Sequence, residues 1–128
     1  TRLEAIVHPM VHAAERQLLK DHAAAGAGLA VLEVPLLFET GGDARVDVTV
    51  VVSAPTQVQR ERVMARDGMT DAKFEAIRSR QLAEVEKRRR ADFIVDTHLT
   101  IPESYAQVDA IVDALRVRRG TAFQRLWQ

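Results

Sequence analysis

Apolar residues Leu3, Ile6, Val7, Met10, Val11, Ala14 and Leu18 recur at steps of three and four, the period of an amphipathic helix over residues 2–21. Pro9 lies inside that stretch. A proline pushes the preceding residue out of helical angles, so a break is expected at His8, with Pro9 opening the main helix. The pattern then changes. Leu29 to Val34 are a short, mostly apolar run between Gly28 and Pro35, which suits a strand covered on both faces in a parallel sheet. Pro35 has no N–H for a central ladder, so pairing is expected to stop there. Leu36, Leu37, Phe38 and Glu39 then leave the strand at its carboxyl end. Val46 to Val52, rich in β-branched residues, predicts a second interior strand, and Asp92 to Asp96 a third.

Between these strands the step returns to that of helices. Ser53-Ala54-Pro55-Thr56 reads as a helix start with its proline just inside, running to about Asp67 with Gly68 as the stop. Thr70 and Asp71 open the next helix, whose apolar positions are Phe74, Ile77, Leu82 and Val85. The basic run Lys87-Arg88-Arg89-Arg90 before the third strand reads as a solvated turn. Thr100-Ile101-Pro102-Glu103 has the form of a capping box. A last helix with Tyr105, Val108, Ile111, Val112 and Leu115 on one face is expected to end near Gly120, leaving a short tail with Phe123 and Trp127.

Strands alternating with helices predict an α/β fold, a parallel sheet flanked by helices. Three strands make a small sheet for that class. The chain starts at Thr1, without an initiator methionine, and enters a helical pattern at once. Both features lead us to expect a piece of a larger protein with further strands, although processing would give the same start.

Composition narrows the function classes. Lysine plus arginine and aspartate plus glutamate number 18 each, so no global charge points to nucleic acid or an anionic membrane. There is no cysteine, hence no disulfide framework and no sulfur-based metal site. No apolar run reaches the length of a membrane span. A cytoplasmic protein is the expectation.

Candidate chemistry lies in a few places. Arg62 and Arg66 are four apart, so on one helix they share a face, and their planar forks suit phosphate oxygens. A solvated face paired with Glu61, Asp67 or Glu75 is the alternative. Leu36 to Glu39 lie at the edge where open α/β sheets bind ligands, as an apolar floor ending in a carboxylate or as a plug of core. Glu33 and Glu39 could act as a carboxylate pair only if Pro35 leaves the chain straight. His8 and His12 are four apart, but a break at Pro9 would separate them. No glycine-rich phosphate loop follows a strand; Gly26-Ala27-Gly28 precedes one.

Four segments in order carry a resemblance: Leu3-Glu4-Ala5-Ile6-Val7-His8-Pro9, Val34-Pro35-Leu36-Leu37-Phe38-Glu39, Arg62-Val63-Met64-Ala65-Arg66-Asp67-Gly68, and Ala91-Asp92-Phe93-Ile94-Val95-Asp96. Together they resemble dephospho-coenzyme A kinases, from Leu3 to about Leu115. The resemblance implies a three-layer P-loop kinase fold over residues 1–128, incomplete for want of its first strands, with a helical lid at about 68–90. It implies transfer of the γ-phosphate of ATP, with Mg²⁺, to the ribose 3′-hydroxyl of dephospho-coenzyme A, the last step of coenzyme A synthesis. By the same carry-over His8, Pro9 and Leu36 to Glu39 lie by the acceptor. Arg62 and Arg66 face the ATP phosphates, and Gln81 and Lys87 occupy lid positions. Thr97 stands near the adenine, where the family pattern usually has asparagine. The family's phosphate loop and general-base aspartate have no counterpart here, so the chain by itself is expected to be inactive. Another small-molecule P-loop kinase, or a binding domain without the phosphate loop, are the alternatives.

Overall fold

A computed structural model describes every residue from Thr1 to Gln128. The element order is α1 (Arg2–Ala24), a 3₁₀ turn (Gly42–Arg45), β1 (Val50–Ser53), α2 (Thr56–Met64), α3 (Asp71–Ser79), α4 (Glu84–Arg90), β2 (Phe93–Asp96), α5 (Ile101–Arg116) and a final π-helical turn (Phe123–Trp127). The strands β1 and β2 pair in parallel, Val50 opposite Phe93 through Ser53 opposite Asp96. Their register is locked just before it begins. The Asp92 carboxylate accepts from the Thr49 amide at 2.8 Å and the Thr49 hydroxyl at 3.2 Å, while the Asp92 amide donates to the Thr49 carbonyl at 3.1 Å. Helix α4 packs on β1 and α5 on β2. Gln107 of α5 extends β2, accepting from the Asp96 amide at 2.9 Å and donating to its carbonyl at 2.8 Å.

The α/β class and the parallel pairing are as expected. The strand expected at residues 29–35 is not formed. Those residues make no backbone hydrogen bond, and Leu29 and Val31 are exposed. A strand exists only against a partner edge, and this segment pairs with neither β1 nor β2.

Three helix boundaries also differ. Helix α1 runs through Pro9 without a break. Proline there forfeits one rung of the ladder, a cost of about 3 kcal/mol, but the turns on either side of it remain bonded. Thr1 and Glu4 close the start of the helix with a reciprocal capping box. Helix α2 ends at Met64, and the chain turns through Arg66 and Asp67 to Gly68, which takes φ +74°. The helix expected from Thr70 onward is two helices, α3 and α4, joined at 80–83. Lys87 to Arg90 therefore form the last turn of α4 and not a solvated turn. The capping box at Thr100 and Glu103 is present.

Burial is low for this length. Eight residues are buried, and the chain exposes 9591 Å², whereas surface scaling gives roughly 6,800 Å² for a folded monomer of this mass. The excess is apolar in part: Leu3, Ile6, Met10 and Leu18 of α1 and Val52 of β1 are all exposed. The carboxyl-terminal tail, by contrast, is firmly seated. Trp127 is 3% exposed and its indole N–H donates to the Arg45 carbonyl at 2.8 Å. The Arg45 guanidinium lies 4.1 Å over the indole ring. Asp47 caps the tail, accepting from the amides of Thr121 at 2.7 Å and Ala122 at 2.9 Å. Gly120 allows this approach, because a Cβ there would sit 2.3 Å from the Asp47 carboxylate.

The Thr121 amide, and after it the Ala122 amide, hold the Asp47 carboxyl below the usual aspartate range. A carboxylate depressed by folding adds stability above its unfolded pKa, and that contribution is lost as pH falls through the folded value. The tail is thus expected to stay seated at neutral pH and to loosen below about pH 4. Trp127 is the chain's one tryptophan, so its emission should shift to the red over that range. In Asp47→Ala the shifted spectrum should appear already at pH 7; an unchanged spectrum would show that Asp47 does not seat the tail.

Candidate functional site

The locked register brings Ser53 and Asp96 side by side at the carboxyl ends of both strands. The ends of parallel strands are where α/β folds place ligands. A cleft of about 410 Å³ opens there, lined by Ser53, Ala54, Pro55, Thr56, Glu84, Arg88, Asp96 and His98. Its polar groups are interlocked. Buried Ser53 donates from Oγ to Glu84 Oε1 at 2.5 Å and accepts from Arg88 Nη1 at 2.8 Å. The same Arg88 nitrogen reaches Asp96 Oδ1 at 3.0 Å. Two carboxylates against one guanidinium leave this wall one unit negative, offset in part by Lys87 Nζ at 3.8 Å from Glu84 Oε2, and the Ser53 hydroxyl is committed to its neighbours. The arrangement is suited to holding and orienting a polar ligand.

Arg62 borders the cleft. From the last turn of α2 it donates to Thr97 Oγ1 at 3.0 Å and to the Thr97 carbonyl at 2.5 Å. The Thr97 hydroxyl in turn donates to the Ser53 carbonyl at 3.2 Å. Arg62 and Thr97, both sequence candidates, are thus brought together at the ligand edge. Arg66 is not brought beside Arg62 on a helix face, because α2 ends two residues before it. The expectation of two guanidiniums on one face fails for that reason. Gln81 and Lys87 do meet, with Lys87 Nζ donating to Gln81 Oε1 at 3.4 Å.

The remaining candidates lie elsewhere. His8 and Pro9 are exposed on α1. Because α1 is unbroken, His8 and His12 share a face, but His12 Nε2 meets Arg45 Nη1 at 2.9 Å. Leu36 to Glu39 form a tight turn instead of a straight path, so Glu33 and Glu39 do not line up on one face. Phe38 is buried, half-way to the core-plug reading, whereas Leu36 is exposed. The Thr40 amide and hydroxyl both donate to the Leu36 carbonyl, at 3.1 and 2.8 Å, and the Gly42 amide donates to the Leu37 carbonyl at 2.8 Å. Leu36 itself has φ +56°, the one non-glycine residue of the chain in the left-handed region.

Ser53, Glu84, Arg88 and Asp96 were not singled out from the sequence. Two of them were within reach of it, since Asp96 closes one predicted strand and Ser53 directly follows another, and the carboxyl ends of such strands form the ligand edge. Arg88 was not, because one of its partners, Ser53, lies 35 residues away along the chain.

The family model for dephospho-CoA kinase matches residues 1–103. The chain belongs to the dephospho-CoA kinase family. A dephospho-CoA kinase of Mesorhizobium japonicum is 55% identical over 120 residues, covering 94% of this chain and 61% of the relative. One from Rhodopseudomonas palustris is 56% identical over 113 residues, covering 88% and 57%. The crystal structure of TT1252 from Thermus thermophilus is 36% identical and superposes with a TM-score of 0.75, over 88% of this chain and 57% of that one. The chain thus spans about three-fifths of the length of the dephospho-CoA kinases it matches. Its tail, which seats Trp127, lies beyond the residues that the family model matches.

A leucine in the left-handed region costs about 1–2 kcal/mol that glycine does not pay. The turn at Leu36 therefore yields an ordering: Leu36→Gly should be more stable than Leu36→Ala by about 1 kcal/mol in denaturant unfolding. Alanine being the more stable of the two would mean that the turn is not left-handed there.

Proposed function

We propose that the chain forms the nucleotide-edge and acceptor portion of a kinase that phosphorylates the ribose 3′-hydroxyl of dephospho-coenzyme A from ATP. The observation that carries this reading is the cleft at the carboxyl ends of β1 and β2, with Arg62 fixed beside it, in a chain of the dephospho-CoA kinase family. Phosphoryl transfer depends mainly on positioning and on neutralising charge. Arg62 is preorganised for the second of these by its two bonds to Thr97, which spend part of its donor fork and leave N–H groups for an anion. Arg66, in the turn after α2, is the second candidate for the same phosphates. Residues 68–90 act as the lid, with α4 as its base on the sheet and Lys87 held toward Gln81. His8, Pro9 and the Leu36–Glu39 turn face the acceptor.

Mg²⁺ enters this reading with the nucleotide. No group of three or more histidine, aspartate or glutamate side chains converges in the chain, so these residues do not form a cage for the ion. Magnesium commonly keeps one or two carboxylates and completes its shell with phosphate oxygens and water. No helix is long and apolar enough to cross a membrane, and a cytoplasmic site of action belongs to the same proposal.

Two measurements test the reading. The 128-residue chain mixed with ATP, Mg²⁺ and dephospho-coenzyme A should give no coenzyme A, because it has no backbone cradle for the β- and γ-phosphates. Turnover above background would show that the cradle is present after all. In the complete enzyme, Arg62→Ala should lower kcat by about 10²–10³, the usual effect of removing a donor to developing charge. Arg62→Lys should recover part of it, keeping charge without the fork. Near-full turnover in Arg62→Ala would leave that residue as a brace for Thr97 alone, and a complete enzyme that binds ATP without transfer would favour a binding domain.

A further inference from the structure

Helix α4 has seven residues, yet it touches two separate parts of the molecule. Through Glu84 and Arg88 it holds the ligand edge, on Ser53 and Asp96. Its last residue, Arg90, turns the other way. Residues two apart on a helix point to opposite sides, so Arg88 and Arg90 cannot serve the same neighbour. The Arg90 guanidinium lies 4.7 Å over the ring of Phe38, and its Nη2 is 3.6 Å from Asp43 Oδ2. Phe38 is 6% exposed and belongs to the turn braced by Thr40 and Gly42. Both side chains of the Arg90–Asp43 pair are about two-thirds covered, so the contact is screened less than a fully exposed one.

We propose that Arg90 is a positioning residue that couples the Leu36–Glu39 turn to the ligand edge through α4, so that the two move as one body. This rests on the reading above that the turn faces the acceptor and the edge faces the nucleotide. A hydrogen-bonded helical turn is stiff, and the contacts at its two ends engage different surfaces. A shift at Ser53 or Asp96 is then passed to Phe38 and Asp43 instead of being absorbed. The neighbouring Arg89 supplies an internal control. It pairs with Glu86 of its own helix and has no partner on the turn.

The test is amide hydrogen exchange at Thr40, Gly41 and Gly42 in the complete enzyme, first without ligand. Arg90→Ala should speed their exchange by about five- to tenfold, as expected for losing one cation–π contact and one partly covered ion pair. Arg89→Ala should leave them unchanged, and Arg90→Lys should fall between. Arg88→Ala, which frees α4 from the ligand edge, should speed the same amides when Arg90 is present and add nothing in the Arg90→Ala background. Unchanged exchange in Arg90→Ala, an equal rise throughout α5, or additive effects of the two substitutions would each overturn the coupling. A second arm adds ATP to the wild-type enzyme and follows residues 53–56 and 84–88. Protection there supports the nucleotide reading and its absence removes that reading, while the ligand-free cycle decides the coupling independently.

Discussion

The structure depends on the register of two four-residue strands. Asp92 fixes it, taking two hydrogens from Thr49 and returning its own amide. A slip of one residue would turn every side chain of one strand to the opposite face. It would also strip partners from Thr49 and Ser53, the two buried polar residues, at about 1–3 kcal/mol for each orphaned group. The cleft follows from the same lock. Ser53 stands beside Asp96 only in this register, and only then can one nitrogen of Arg88 reach both. The Arg62 contact with Thr97 is measured from the same origin, since Thr97 is tied to the Ser53 carbonyl by its amide and its hydroxyl.

What the sequence revealed and what it concealed divide along physical lines. Patterns that close within a few residues were legible: the capping box at Thr100 and Glu103, the β-branched run that ends in β1, and the helix over residues 2–21. Pro9 misled because a proline's local cost is certain, while the resistance of a long helix to breaking depends on turns outside the window. The segment at 29–35 misled for the opposite reason. Its composition is that of a strand, but pairing is a property of two segments, and no partner edge reaches it here. Arg66 was placed on a helix face by spacing alone, and a helix that stops two residues early takes that face away.

The basic run at the end of α4 shows how little a string of like charges says by itself. Lys87 reaches back to Gln81 and Glu84, Arg88 to the strand ends, Arg89 to Glu86 and Arg90 to Phe38 and Asp43. Four neighbours in sequence point in four directions because a helix turns by about 100° per residue. Reading the run as a solvated turn was reading its charge without its geometry. The ligand edge needed the same correction: its lining joins residues from β1, α4 and β2, and no single window of sequence contains all three.

The seating of the tail also constrains the order in which this chain can change. A side chain at position 120 would crowd Oδ2 of Asp47, and moving that carboxylate aside would strain the bonds its Oδ1 accepts from the amides of Thr121 and Ala122. Replacement of Gly120 is therefore harmful while Asp47 remains and far less so once Asp47 has been lost. The two positions are epistatic with a direction: the acid must go first. A lineage that keeps Trp127 seated by this route is expected to hold aspartate and glycine together, and one that gives up the aspartate is free to fill the glycine.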